Sequence, residues 1–471
     1  MMKEKKFFPS IFNDVLAPST QGPSSSNTVG PYRIGRIARG MIDGKPEYIK
    51  FEMSRKGGFY DTFFSMQSDK GLLSGILGQD LIRDDLSKVY DLACEEGLDY
   101  EFEFADRIEK IPTEMGELTI RSDKETLVLT GISLGGGEIL IRDVNGETVN
   151  LQGREEMDFV PKGCKNPRRL PSVYPLRTKH DAKPPFDTSE GMVRYAKTTG
   201  KSMWQVALDY ECEVTGCTED EILKIAEETL ETEYRAIRHG YEDDFSFDGI
   251  TVPKAQDIKE KIEKTKLIPS GIGDKAGLDA LAIMEYSNSH GIIVCMPTGG
   301  ATGIIPSAIR RTAEEMKLSK ADEVHALLVA GLLGTFYYPT HYHGALGCQA
   351  EVGIATSMAS GALASMITDD PEAIERAAVL GMQVLLGQVC DPVLGYAQVP
   401  CFIRNIASVS IASVCANYGV LGIDTAITLD EMVQAVLRVG EALRGTRIND
   451  LGCCGCSFSC HPESSVYKDK K

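Results

Sequence analysis

A change of hydrophobic period across residues 156–190 sets the outline of this chain. That stretch contains VPKGCKNPRRLPSVYPLRTKHDAKPPFDTSE, dense in proline and basic residues and poor in apolar periodicity, which marks a linker or domain boundary. Before it, strand and helix signals mix. PEYIKFEM (46–53) alternates with strand period, and TLVLTGISLGGGEILIRDV (126–144) looks like two strands around a Gly-rich turn. LIRDDLSKVYDLACEEGL (81–98) has helical spacing, with Leu81, Leu86, Tyr90, Leu92 and Cys94 on one broad face. After it the pattern is overwhelmingly helical. TEDEILKIAEETLETEYRAIRHG (218–240) opens on the capping pair Thr218 and Glu221 and closes on Gly240. Asp370 before Pro371 starts another helix. Thr428 with Glu431 starts a third, which carries Val433, Val436, Leu437 and Leu443 on one stripe and stops at Gly445. VHALLVAGLLGTFYY (324–338) is apolar nearly all round and belongs in the centre of a bundle. The expectation is an α+β N-terminal domain (1–155), a Pro-rich linker (156–190) and a mostly α-helical domain (191–471). No internal repeat is visible.

A formal charge of -18 argues against nucleic acid or an anionic membrane as the main partner and leaves small molecules open. No run of about 18 uninterrupted apolar residues occurs, so no membrane span is expected. The apolar stretch after the basic start MMKEKK is broken by Pro9, Asn13 and Asp14, unlike a secretory signal, and a cytoplasmic location is expected. In such a compartment the 13 cysteines are reduced. Isolated ones in apolar surroundings, Cys94, Cys295 and Cys415, read as core residues.

Three others keep unusual company: GCQAEVG at Cys348, QVCDPVLG at Cys390 and QVPCFIRN at Cys401. Each stands by Gly, Pro or a polar residue where a helix would end or bend, and free N–H groups at helix ends favour thiolate. Three thiolates without a fourth suit an iron–sulfur cluster with one open iron, a Lewis acid. The spacing C-x41-C-x10-C is not a compact ferredoxin run, so three core cysteines remain the alternative. The Gly-rich loop Thr298, Gly299, Gly300, Ala301, Thr302, Gly303 suits an anion such as a carboxylate, against the plainer reading of a tight interhelical connection. It lacks the Lys of a phosphate loop.

GCQAEVGIATSMASGALA, then CDPV, then QVPC-x-x-RN closely resembles the iron–sulfur-dependent L-serine dehydratases (L-serine ammonia-lyases), in a form that fuses β-type and α-type regions. PTGGATGIIPSAI (297–309), TLDEMVQAV, GPSSSNTVGP (22–31) and SLGGGEI (133–139) resemble further family motifs, so the likeness covers most of the chain. It implies a 4Fe–4S cluster on Cys348, Cys390 and Cys401, its fourth iron binding the substrate carboxylate and 3-hydroxyl. It implies no pyridoxal phosphate, and Lys201 and Lys275 read as surface charge. The implied reaction releases a 2-oxoacid and ammonia from L-serine or a related β-hydroxy amino acid, a step of amino acid catabolism that feeds gluconeogenesis. Ser25 and Ser26 become candidate catalytic hydroxyls, and Ser24, Asn27 and Thr28 candidate substrate-binding groups beside the Gly-rich loop.

Four departures bear on substrate and mechanism. Asn27 stands where the family has His, and KGGFYDT (56–62) stands where it has a Gly-His-x-Thr-Asp type segment. Ala345 and Ile403 stand where it has Glu. PTHYHGALGC offers His341 and His343 as replacement bases, or simply as helix-end histidines. In the tail LGCCGCSFSCH, Cys453, Cys456, Cys460 and His461 offer four zinc ligands; alternatively the tail, Cys454 included, reaches the catalytic cluster or lies free. A non-catalytic amino-acid sensor of the same fold is the competing class, and a homodimer is the prior for so apolar a helical domain.

Overall fold

The computed structural model describes residues 7–17, 19–54, 62–105, 115–242, 245–247, 249–341, 346–390, 393 and 396–444. The front lobe is built on strands β2 (Pro46–Ser54), β3 (Asp99–Ala105), β4 (Met115–Ser122), β5 (Thr126–Gly135), β6 (Glu138–Val144) and β7 (Glu147–Leu151), in sheet order β3-β2-β4-β5-β6-β7. Only the β2–β3 pair in this sheet is parallel. Helices α1 (Gly30–Met41), α2 (Ser68–Leu77) and α3 (Val89–Glu95) accompany it. Ile34, Ile37 and Met41 of α1 join Ile49, Phe51, Leu118, Leu129 and Ile139 of the sheet in one core. The α+β front followed by a mostly helical region is thus the architecture observed.

Four details differ from the sequence expectation. Residues 81–98 fold as turns followed by the short α3, because Asp80 and Asp85 spend their carboxylates on nearby backbone N–H groups (Ile82 at 2.8 Å, Ser87 at 3.0 Å). Cys94 is exposed rather than core. Gly240 does not end its helix, which runs on to Glu242. A Cβ there would lie 2.1 Å from the Ala282 carbonyl oxygen, so the glycine serves close helix packing. The proline-rich stretch also carries structure: β8 (Met157–Phe159) pairs β9 (Arg168–Leu170), and Leu170 enters the front core.

The rear lobe comprises α4 (Ser189–Thr199), α5 (Met203–Thr215), α6 (Glu219–Glu242), α7 (Ala255–Ile262), α8 (Gly273–Ser287), α9 (Ile304–Met316), α10 (Lys320–Phe336), α11 (Tyr338–His341), α12 (Val352–Ser365), α13 (Pro371–Leu385), α14 (Cys401–Val420) and α15 (Leu429–Arg444). The expected caps form: Thr218 with Glu221, Asp370 on Glu372 N–H, and Thr428 with Glu431. Helix α12, rich in Ala, Gly and Ser, packs against α9, α10, α13 and α14 at once. Small side chains permit that many close neighbours. Among the described residues no helix is long and apolar enough to cross a membrane.

The N-terminal segment belongs to the rear lobe. Ile11, Phe12, Val15 and Leu16 lie in the helical core, and β1 (Ser19–Gln21) pairs antiparallel with β10 (Ile292–Val294). Strand β1 leads into GPSSSNTVGP and β10 into PTGGATG, so one ladder places both loops side by side. The peptide bonds Gly22–Pro23, Met296–Pro297 and Val399–Pro400, each just before a candidate site segment, are cis.

Candidate active site

GPSSSNTVGP is the start of a helix. Residues Ser25–Val29 form a π-helical turn that runs directly into α1, and the Ser24 hydroxyl caps it by accepting from Asn27 N–H at 3.0 Å. The Ser26 carbonyl accepts from Ser133 Oγ at 2.7 Å, which ties the turn to the SLGGGE strand end. Thr28 donates to the Met66 carbonyl (2.9 Å), and Thr62 donates to Asn27 Oδ1 (3.1 Å). Asn27 Nδ2 contacts Ser24 Oγ and Met66 Sδ. Asn27 is therefore knitted into the 62–66 segment. Ser25 is buried beside the Cys295 thiol, its hydroxyl lacking a partner of good geometry.

The Gly-rich loop meets this turn directly. A Cβ on Gly299 would lie 2.5 Å from the Pro23 carbonyl oxygen, so only glycine lets the loops approach this closely. Gly299–Ala301 forms a 3-10 turn leading into α9. Gly303 abuts the Ala280 carbonyl in the same way. Thr302 is turned away from the loop surface and bonds the Val294 carbonyl (2.5 Å) and Glu233 (3.2 Å). Thr298 is buried, and its hydroxyl lies near the Glu351 carboxyl without closing a well-aligned hydrogen bond.

Cys348 opens a 3-10 turn, Cys348–Ala350, that leads into α12, and Cys401 is the first residue of α14. The Cys348 thiol is pushed well above its usual pKa, first by its hydrogen bond with Cys390 and then by burial. A bound cation reverses that sign and holds such thiols deprotonated. Arg404, one turn after Cys401, donates to Cys348 Sγ (3.2 Å) and to the Val389 carbonyl (3.1 Å), next to Cys390. Asn405 Nδ2 donates to the Gly300 and Cys401 carbonyls at 2.8 and 2.9 Å, sewing the Gly-rich loop to the head of α14. The Glu351 carboxyl lies 3.9 Å from Cys348 Sγ and 3.5 Å from where a Gly300 Cβ would stand. Burial raises its pKa, partly offset by Thr298 and Arg404.

Four helices, α1, α9, α12 and α14, thus start at one place, each through a turn or cap carrying a sequence-predicted segment. Their unpaired N–H groups and dipoles make the recess favourable to anions, thiolates included. Among the described residues, no three His, Cys, Asp or Glu side chains converge closely enough for a single metal ion. A multi-iron cluster makes a different demand, because its thiolates bind separate corners. The donor chemistry fits such a group: two thiols in contact, a third one turn from the arginine that bonds the first, and helix N-termini around them. His343, Ala345 and the tail cysteines lie outside the described residues, as does the side chain of His341.

Glu351, Arg404 and Asn405 did not stand out as site residues in the sequence, yet a signal existed. Glu351 is the only charged residue from Gly344 to Thr368, and Arg404 is the only one in α14. A lone charge inside an apolar helical run needs a buried partner or a ligand.

Comparison with known proteins places the chain in a family. The family model described as serine dehydratase alpha chain matches residues 198–447, more than half of the chain. The chain is 30% identical over 240 residues to the "Probable L-serine dehydratase, alpha chain" of Bacillus subtilis (strain 168), covering 50% of this chain and 80% of that protein. It is 28% identical over 453 residues to the "L-serine dehydratase" of Streptomyces coelicolor, covering 89% and 92% respectively. With "L-serine dehydratase 2" of Escherichia coli (strain K12) the identity is 26% over 457 residues, covering 89% and 92%. The chain belongs to the serine dehydratase alpha-chain family.

Proposed function

We propose that this protein is a lyase that dehydrates and deaminates L-serine to pyruvate and ammonia, using a 4Fe–4S cluster held by Cys348, Cys390 and Cys401. The observation that carries the reading is the meeting of four helix N-termini at a recess holding the Cys348–Cys390 pair, the Gly-rich loop and the serine turn. The names of relatives matched over 89% of the chain support the substrate. When bound, the cluster supplies Lewis acidity to the departing 3-hydroxyl.

The chain's own groups do the rest. N–H groups at the start of the Ser25–Val29 turn and the Ser25 and Ser26 hydroxyls orient the carboxylate. Arg404 and Asn405 hold Cys348 and Cys401 in register with the Gly-rich loop. His341 or His343 accepts the α-proton, since Asn27 has no basic nitrogen. Serine thereby loses its α-hydrogen and 3-hydroxyl as water and gives 2-aminoacrylate. That enamine tautomerises to the imine, and water cleaves its C=N bond to pyruvate and ammonia. Anaerobically purified protein is expected to contain iron and sulfide and to release pyruvate from L-serine. Loaded protein that releases none overturns the reading.

A further inference from the structure

The recess is rich in donors: helix N–H groups, Arg404 and hydroxyls. An α-amino acid brings an anion and a cation, and the donors serve only its carboxylate. Glu351 is the exception. Its carboxyl, at the N-cap of α12, faces the Gly300 backbone and lies beside the Thr298 hydroxyl. Thr298 and Ser25 are both more than nine-tenths buried, and each hydroxyl lacks a well-aligned partner. Buried polar atoms in that state are completed by a ligand or water. Arg404 acts on Glu351 through its charge, while its Nη1 donates to Cys348 Sγ and the Val389 carbonyl.

We infer that Glu351 and Thr298 form a subsite for the substrate's α-ammonium group, opposite the donor-rich wall that takes the carboxylate. The subsite makes the protein selective for α-amino acids over acids of the same shape without an amine. Glu351 pairs with the ammonium as a carboxylate, and Thr298 accepts a further N–H. A Cβ at Gly300 would stand 3.5 Å from the carboxyl, ordinary contact distance, so the loop backbone lies directly against Glu351. The inference rests on the proposed amino acid substrate and deepens it.

The test compares L-alanine with propionate, which differ only in the α-ammonium and carry no hydroxyl to eliminate. Calorimetry on anaerobically purified wild-type protein should show L-alanine binding about 10- to 100-fold more tightly, the range of a charge-assisted contact. Glu351→Gln should cut that ratio to about 3-fold or less while propionate binding and iron content stay unchanged. Thr298→Val should lower the ratio without touching the charge, and it carries the test if Glu351→Gln folds or loads poorly. Equal weakening of both ligands, or a ratio unchanged in the variants, overturns the subsite; so does a wild type without preference. A wild type that prefers L-alanine but releases no pyruvate from L-serine overturns the dehydratase reading and leaves the subsite standing.

Discussion

Cys390 and Glu233 show how differently single residues act around this recess. Cys390 touches Cys348 and sits beside the carbonyl held by Arg404. Replacing it with serine exchanges a soft thiolate for a hard hydroxyl. Cys390→Ser is expected to lose most iron, sulfide and charge-transfer absorbance together with pyruvate release. Glu233 lies fully buried under the Gly-rich loop, accepting from Val294 N–H. Burial pushes its pKa from an ordinary 4.5 to about 8, and that of Glu211 to about 7. The folded state therefore holds protons that the unfolded chain has released. Stability is fully present below about pH 4.5 and falls as pH rises toward about 8, by at most about 1.4 kcal/mol per pH unit for each group. Urea midpoints from pH 5 to 9 should decline, and Glu233→Gln should flatten the part above neutrality. Such roles were hidden in the sequence: Glu233 lies in an acidic helix, and nothing local distinguishes it from its solvated neighbours.

At the scale of elements, the loops work because glycine lets backbones touch. At Gly299 a Cβ would meet the Pro23 carbonyl oxygen at 2.5 Å, so the Gly-rich loop lies directly against the serine turn. Gly299→Val puts a branched side chain into that contact and drives the two apart. The variant is expected to raise the KM for L-serine by about tenfold or more, a displacement cost of at least about 1.4 kcal/mol, with iron content preserved. Unchanged steady-state kinetics would show that the loops do not jointly bind substrate. Capping pairs such as Thr218 with Glu221 were legible because they act within one turn. The short α3 was not: Asp80 and Asp85 compete for backbone N–H groups, which apolar spacing cannot register. In GPSSSNTVGP the structure gives three of the candidate substrate-binding residues structural partners. Ser24 is its cap, while Thr28 and Asn27 are partly spent on residues 62–66.

Across the whole molecule, Arg154 joins the lobes. It follows β7 in the front lobe, pairs with Glu138 of β6 and with Asp14 of the N-terminal segment, each at 2.8 Å, and reaches the Tyr338 hydroxyl at the start of α11. Phe7 covers its guanidinium. Arg154→Met leaves two buried carboxylates without their cation and is expected to cost about 3–5 kcal/mol in chemical unfolding. A loss under 1 kcal/mol would mean that the Arg154 ion pairs contribute little to holding the lobes together. By itself the sequence determined the two lobe types, the helix starts at Thr218, Asp370 and Thr428, and the candidate cysteines, because hydrophobic period, capping and helix-end chemistry are written in neighbouring residues. Only the tertiary structure decided that the N-terminal segment completes the rear lobe, that four helices begin at one recess, and that Glu351, Arg404 and Asn405 belong there. Those facts depend on contacts between residues dozens to hundreds of positions apart, which burial and backbone packing select and local pattern does not encode.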